Sequence, residues 1–405
     1  MRRILTITAL LAWSSIASSA SETGGEAAGD WPQWRGPRRD GVSSEADWAP
    51  AGKAESLWKK DVGLGYSTVS IQDGRLFTMG YDEERGVDVV WCLDPETGAE
   101  IWKHEYPAER WNKMHNGGTQ TTPSADGDLV YTVNREGTSF CLEASGGKVR
   151  WQRDLRKEYD LTYPTWGFAA SPLVLEDALI LNLGKVIALD KETGKQIWVT
   201  AKSYGSAYST PSDLVLADKP CLAVFDSLGL VILERSSGKE LMLHAWATQY
   251  DVNAATPVPV GERVLISSGY KRGAALIDVS GEKPEVVWEN KTMNNKMSGC
   301  ILIGEHFYGF DESLLKCMDT QGEEKWRVRG MGNGALVGAA DRLIVMSSDG
   351  ELVVAQADPT EFKELSRAKV LDGGVYWTTP VISGGRIYCR NSLGNLVCRD
   401  HRIAR

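Results

Sequence analysis

Apolar and polar residues alternate with a period of two along most of this chain, in short runs broken by DG, EG, GG and TG turns. Helical spacing is nearly absent, so the pattern predicts an all-β protein. Residues 121–154 show the unit: TTPSA, DLVYTVNR, TSFCLEA and KVRWQRD are four strands, separated by DG, EG and SGG turns. The unit recurs. Its third strand ends on an acidic residue in Asp94, Glu143, Asp190, Glu234, Asp278, Asp319, Asp358 and Asp400, at steps of 49, 47, 44, 44, 41, 39 and 42 residues. Eight four-stranded units at this period predict an eight-bladed β-propeller, since one blade cannot bury both of its faces without neighbours.

Repetition also sorts the conspicuous side chains. Trp102, Trp151 and Trp198 each follow their acid by eight residues, Met242 takes that place in the fourth unit, and Trp288, Trp326 and Leu365 lie at ten, seven and seven. A large apolar group recurring on the outer strand is expected to dock one blade on the next. The eight acids are expected to accept backbone N–H bonds in their turns. Cys92, Cys141, Cys317 and Cys398 fall two positions before the acid, where other units have Ala188, Ile232 or Leu276, and are expected to act as small core residues. Cys389 and Cys398 flank one turn symmetrically, which leaves a disulfide open there, although directly opposed strand cysteines need strained geometry.

The last unit has only three strands, and five residues follow Asp400. By contrast GKAESLWKKDV, residues 52–62, reads as a fourth strand with nothing before it. Residues 54–62, with Trp58 at the docking position, are therefore expected to complete the eighth blade and close the ring.

Composition narrows the function classes. Residues 1–20 carry two Arg, an apolar run and small residues up to Ala20, the layout of a cleaved signal peptide. A periplasmic or secreted protein is expected, with a polar linker at 21–29 and a single propeller domain over 30–405. No later run is long enough for a membrane span. A net charge of -9 gives no attraction to nucleic acid, and the five His form no metal-ligand spacing, so no metal site is expected. A monomer is expected.

ALDKETGKQIW (188–198) resembles the tryptophan-docking motif of the pyrroloquinoline quinone (PQQ) propeller superfamily, with CLDPETGAEIW and CLEASGGKVRW as variants, and GDWPQWRGPRRDG (29–41) resembles the start of secreted members. The resemblance covers about residues 30–400. It implies one of two functions. In quinoprotein alcohol and sugar dehydrogenases, PQQ and Ca²⁺ sit over the channel and an Asp acts as base. In the group resembling the periplasmic scaffold of β-barrel assembly, no cofactor is bound and the partners are proteins. The near-minimal units and the absence of an adjacent Cys pair favour the second group, a binding or scaffold module with a protein or glycan ligand and no cofactor. PQQ with Ca²⁺ is the alternative.

In a propeller the segments joining the fourth strand of one blade to the first of the next reach the channel mouth. Here they supply Tyr66, His115, Asn116, Gln120, Trp166, Tyr208, Asn253, Asn295, Asn333, Tyr376 and Trp377. Aromatic rings beside amides suit a planar ligand, a sugar or a peptide; the competing reading is that they plug the mouth and that the Thr/Ser-Pro ends merely start inner strands. No catalytic set is recognisable. Were the chain an enzyme, His115 and Lys113 would be the first groups to test.

Overall fold

The computed structural model describes residues 29–403 except 54, 114, 177, 206 and 207, so the expected leader and nearly all of the linker lie outside the described residues. Eight antiparallel sheets follow in order: blades 1 to 8 at residues 70–107, 124–154, 173–199, 212–245, 258–290, 301–328, 335–369 and 381–400. Within each blade the strands run outward from the axis. Second and third strands are almost wholly buried, as over Leu129–Val133, whereas fourth strands alternate, Trp151 being buried between the exposed Arg150 and Gln152, as inner layers and rim should.

Blade 8 is closed by the N-terminal strand Ser56–Asp61, antiparallel to Asn395–Asp400 with Trp58 opposite Cys398. The pairing removes the free edge between the first and last repeats.

Docking follows one rule. The indole N–H of Trp102 donates to Ala144 O at 2.9 Å, that of Trp151 to Lys191 O at 2.9 Å and that of Trp198 to Arg235 O at 2.9 Å. In each case the acceptor is the residue after the next blade's acid. Trp58 does the same to Pro95 O at 3.0 Å, joining blade 8 to blade 1. Trp288 follows it on Thr320 O, while Trp326 departs from it by donating to Asp358 O, the acid itself. The glycine of each turn is the floor under the neighbour's indole: a Cβ on Gly194 would lie 2.7 Å from the Trp151 ring, and its φ of +68° already disfavours any side chain.

Two junctions lack this indole, and each borrows another. Met242 stands opposite Ile232 in blade 4, and the fully buried Trp246 fills the gap toward blade 5, donating to Ser268 Oγ at 3.0 Å. In blade 7 the docking place belongs to Ser366 and not to Leu365, because Ser366 pairs with Val354 while Leu365 sits in the bulge. Between blades 7 and 8 the N-terminal Trp48 packs edge-on against His401, ring centroids 6.0 Å apart.

The cysteines have a volume reason. Tyr131–Cys141–Trp151, Tyr308–Cys317–Trp326 and Tyr388–Cys398–Trp58 are cross-strand triplets, and the two rings of each approach to 6.2, 5.9 and 5.9 Å across the thiol. Only a small residue fits between them. Where the first member is Ala223, the middle one grows to Ile232. All seven cysteines are buried and free. Cys389 pairs with Val397 and Cys398 with Tyr388, so the two thiols lie on opposite faces and the disulfide left open by sequence does not form.

The acids behave as turn residues. Asp94 Oδ1 accepts the N–H groups of Glu96 and Thr97, Asp190 Oδ1 that of Thr193, and Asp278 Oδ1 that of Ser280. These bonds hold the carboxyls of Asp190 and Asp278 below the usual range, with the Thr193 and Ser280 hydroxyls the largest cause.

Candidate functional site

The Thr/Ser-Pro starts of the inner strands do more than begin them. Thr68 N–H donates to Thr122 Oγ1, Thr122 N–H to Ser171 Oγ and Ser171 N–H to Thr210 Oγ1, so the segments that lead into blades 1 to 4 are stitched one to the next around the axis. Ser124 Oγ and Ser212 Oγ donate across to Pro172 O and Pro257 O, both at 2.7 Å. A rigid collar results, and its aromatic neighbours project over a fixed opening.

The bore below the collar is filled by the N-terminal run. Trp31 exchanges both backbone hydrogen bonds with Ile71 of blade 1, at 2.8 Å each, and Pro32 O accepts from Ala125 N–H of blade 2. Trp34 Nε1 donates to Thr256 Oγ1 before blade 5, and the buried Arg35 guanidinium donates to Cys300 O before blade 6. Arg39 makes a two-pronged pair with Asp213 of blade 4 at 2.8 and 3.0 Å, and Val42–Ser43 adds a parallel strand to blade 7. Residues 31–43 thus touch the inner wall of six blades and plug the channel.

Above the plug lies a funnel of about 290 Å³ with Trp34 on its wall. Every connection between successive blades contributes to it except that from blade 6 to blade 7. Of the residues proposed from sequence, Tyr66, His115, Gln120, Trp166, Tyr208 and Trp377 line it. Tyr66 and Trp377 stack with centroids 5.3 Å apart, His115 meets Tyr66 edge-on at 5.5 Å, and Trp166 leans on Tyr208 at 5.8 Å.

The other five are not on the funnel wall. Asn253 is fully buried and donates to Asp226 O and Trp246 O; Asn295 donates to Phe310 O. Both amides serve backbone groups left over at strand ends. Asn116 donates to Ser392 Oγ, Tyr376 is buried against Gly350, and Asn333 belongs to the one connection that stays clear of the funnel. Lys113 extends over the Trp111 ring, 5.2 Å from its centroid, also off the wall.

Sequence reading missed Trp34, Tyr270, Lys296 and the hydroxyls of Thr210 and Thr256. Tyr270 sits in the turn between second and third strands of blade 5. Such turns open on the same face as the blade connections, because two antiparallel strands return the chain to that side.

Burial lowers the His115 pKa, so its ring is neutral near pH 7. Its Nδ1 accepts the Gly117 N–H at 2.9 Å, which places the proton on Nε2. Burial likewise raises the Tyr66 phenol and pushes Tyr208 up to about 12, so both stay protonated. Among the described residues no carboxylate lines the funnel. Among the described residues no group of three or more His, Cys, Asp or Glu could hold a metal ion. Ca²⁺ takes about six to eight oxygen ligands, carboxylates foremost. The donor set at the mouth therefore does not fit a Ca²⁺-bound quinone.

A family profile described as outer membrane protein assembly factor BamB matches residues 86–327, more than half of the chain. The chain belongs to this family of PQQ-like propellers. None of the curated proteins matches it significantly. Among solved structures, BamB from Moraxella catarrhalis aligns at 15% identity over 87% of this chain and 98% of that one, TM-score 0.62. The quinohemoprotein alcohol dehydrogenase ADHIIG from Pseudomonas putida HK5 aligns at 13% identity over 93% and 81%, TM-score 0.66. A europium-containing methanol dehydrogenase aligns at 10% identity over 91% of each chain, TM-score 0.69. These PQQ-like relatives share the fold; at such identities they do not assign the activity.

One carboxyl outside the funnel is buried with no cation beside it among the described residues. Asp226, at the end of the second strand of blade 4, is fully buried, and its carboxyl has the Asn182 amide and the Ser227 N–H beside it, neither in a hydrogen bond of ordinary geometry. Burial holds its pKa well above the ordinary 3.8. The unfolded chain releases this proton first, so the group's effect on stability worsens as pH rises from about 4. Asp226→Asn should therefore melt at a higher temperature than the parent at pH 7, with the gain vanishing near pH 3.5. Thermal melts at the two pH values check this, and a lower melting temperature at pH 7 would show that the carboxyl has a partner.

Proposed function

We propose that the protein is an exported binding module that takes a group from a protein or glycan partner into the funnel at the channel mouth. Six aromatic rings, supplied by separate loops and by the plug, converge on a collar that the inter-blade bonds hold rigid. This convergence carries the reading. Were the rings only a stopper they would be redundant, because residues 31–43 already fill the bore beneath them. Among the described residues of the wall no carboxylate stands where the resemblance to quinoprotein dehydrogenases would put an Asp base, which supports the binding reading.

Calorimetric titration of the full chain with PQQ and Ca²⁺, paired with a dye-linked alcohol oxidation assay, separates this reading from its alternative. Neither binding nor oxidation is expected. Micromolar binding accompanied by alcohol oxidation would overturn the binding-module reading in favour of a quinoprotein dehydrogenase.

A further inference from the structure

The polar groups of the funnel share a property beyond their number. Ser171 Oγ accepts the Thr122 N–H, Thr210 Oγ1 the Ser171 N–H and Thr256 Oγ1 the Trp34 indole N–H. Tyr208 Oη takes the Trp166 N–H, at 3.4 Å, and His115 Nδ1 the Gly117 N–H. Each has spent acceptor capacity on the scaffold. What remains to each hydroxyl is an O–H and one further lone pair, and to His115 its Nε2–H; none of these hydrogens is donated to a described residue. The wall therefore offers an uncommitted donor at each of these groups, while half of the hydroxyls' acceptor capacity is already taken up by the scaffold.

The charge has the same sense. Lys296 is the cation of the wall, and it forms no ion pair with a described carboxylate. Its stem is fixed: a Cβ on Gly269 would lie 3.0 Å from the Lys296 Cβ and Cγ, and Nζ stands 5.1 Å from the Tyr270 ring centroid. A cation held in place beside aromatic faces, with hydroxyl and imidazole donors around it, complements a ligand that brings acceptors, a negative charge and a flat or pyranose face. A neutral sugar would leave the cation of the wall unmatched.

Resting on the reading of the funnel as a binding site, we infer that its ligand presents a six-membered ring carrying a carboxylate, the ring against the aromatic wall and the carboxylate on Lys296. Two sources have this chemistry: the uronic acid residues of an acidic glycan and a free aromatic acid. Tryptophan fluorescence of the full chain, titrated in EDTA with digalacturonate and with 4-hydroxybenzoate, distinguishes them, with galactobiose and 4-hydroxybenzyl alcohol as uncharged counterparts. Quenching by one of the acids and not by its counterpart is expected. Lys296→Met should weaken that acid roughly 10- to 100-fold, the worth of a hydrogen bond to a charged group, and Lys296→Arg should restore most of it. Lys296 is half-buried at the mouth, so both variants should melt with the parent. Equal binding of the uncharged counterparts, or no effect of Lys296→Met, overturns the carboxylate and leaves the binding site standing. Binding of none of the four overturns the inference outright, while the binding-module reading is decided separately by the PQQ and Ca²⁺ titration.

Discussion

Replacing Trp58 with alanine is expected to cost about 3–5 kcal/mol, the usual loss for a large aromatic side chain removed from a core. The residue is only 8% exposed, packs against Tyr388 and binds Pro95 O of blade 1, so its loss loosens both the closing strand and the first junction of the ring. A native protein holds only about 5–15 kcal/mol of stability, so such a loss is a large share of the whole. Deleting residues 52–62 should go further, since it exposes the unpaired edge of Asn395–Asp400. Urea denaturation followed by tryptophan fluorescence should show one transition, moved to lower urea in the point variant. An unmoved midpoint would mean that the ring does not depend on its N-terminal strand.

Arg135→Met should be comparably damaging. The guanidinium and the Asp88 carboxylate are both wholly buried, with Nη1 at 2.9 and 3.1 Å from the two carboxyl oxygens and Nε on Glu109 O. Removing one partner of such a pair leaves an uncompensated buried charge, at about 3–5 kcal/mol. Burial already pushes Asp88 up to about 6 against the pull of Arg135, and without the arginine it rises further. The folded variant then holds a proton that the unfolded chain has released, so its stability falls as pH rises. The loss should accordingly be larger at pH 8 than at pH 5, and the double variant Arg135→Met, Asp88→Asn should recover much of it. An equal loss at both pH values would show that packing, and not the stranded charge, is the cause.

The scaffold was legible in the sequence because it repeats. Seven of the eight acids, the six docking tryptophans and four cysteines each occupy one place in a unit, and a place filled many times can be interpreted once; Asp358 lies two residues beyond it. Closure by Trp58 could be read the same way, since a fourth strand was missing at one end and surplus at the other. Leu365 shows the limit: the third strand of blade 7 ends at Gln356, two residues before Asp358, so counting from that acid misses the docking place, which falls to Ser366 opposite Val354. The mouth was half legible. Chain position identifies which segments reach that face but not where a side chain turns, and Asn253 and Asn295 turn inward because strand-end backbone groups need their amides. The plug was not legible at all as a plug, because residues 31–43 occur once and have no period to compare. Lys296 was passed over for a related reason, as one lysine among many until Gly269 and Tyr270 fix it at the wall.

One N-terminal run thus both plugs the bore beneath the candidate site and closes the ring around it, and hydrogen exchange of the full chain tests this most directly. The amides of Trp31 and Ile71, paired across the plug, and those along Ser56–Asp61 should exchange only with global unfolding, together with the buried third strands such as Thr138–Glu143. Exchange of residues 31–61 well ahead of those strands would mean that the N-terminus is an appendage, and that neither the closed ring nor the plugged funnel is the state the protein holds in solution.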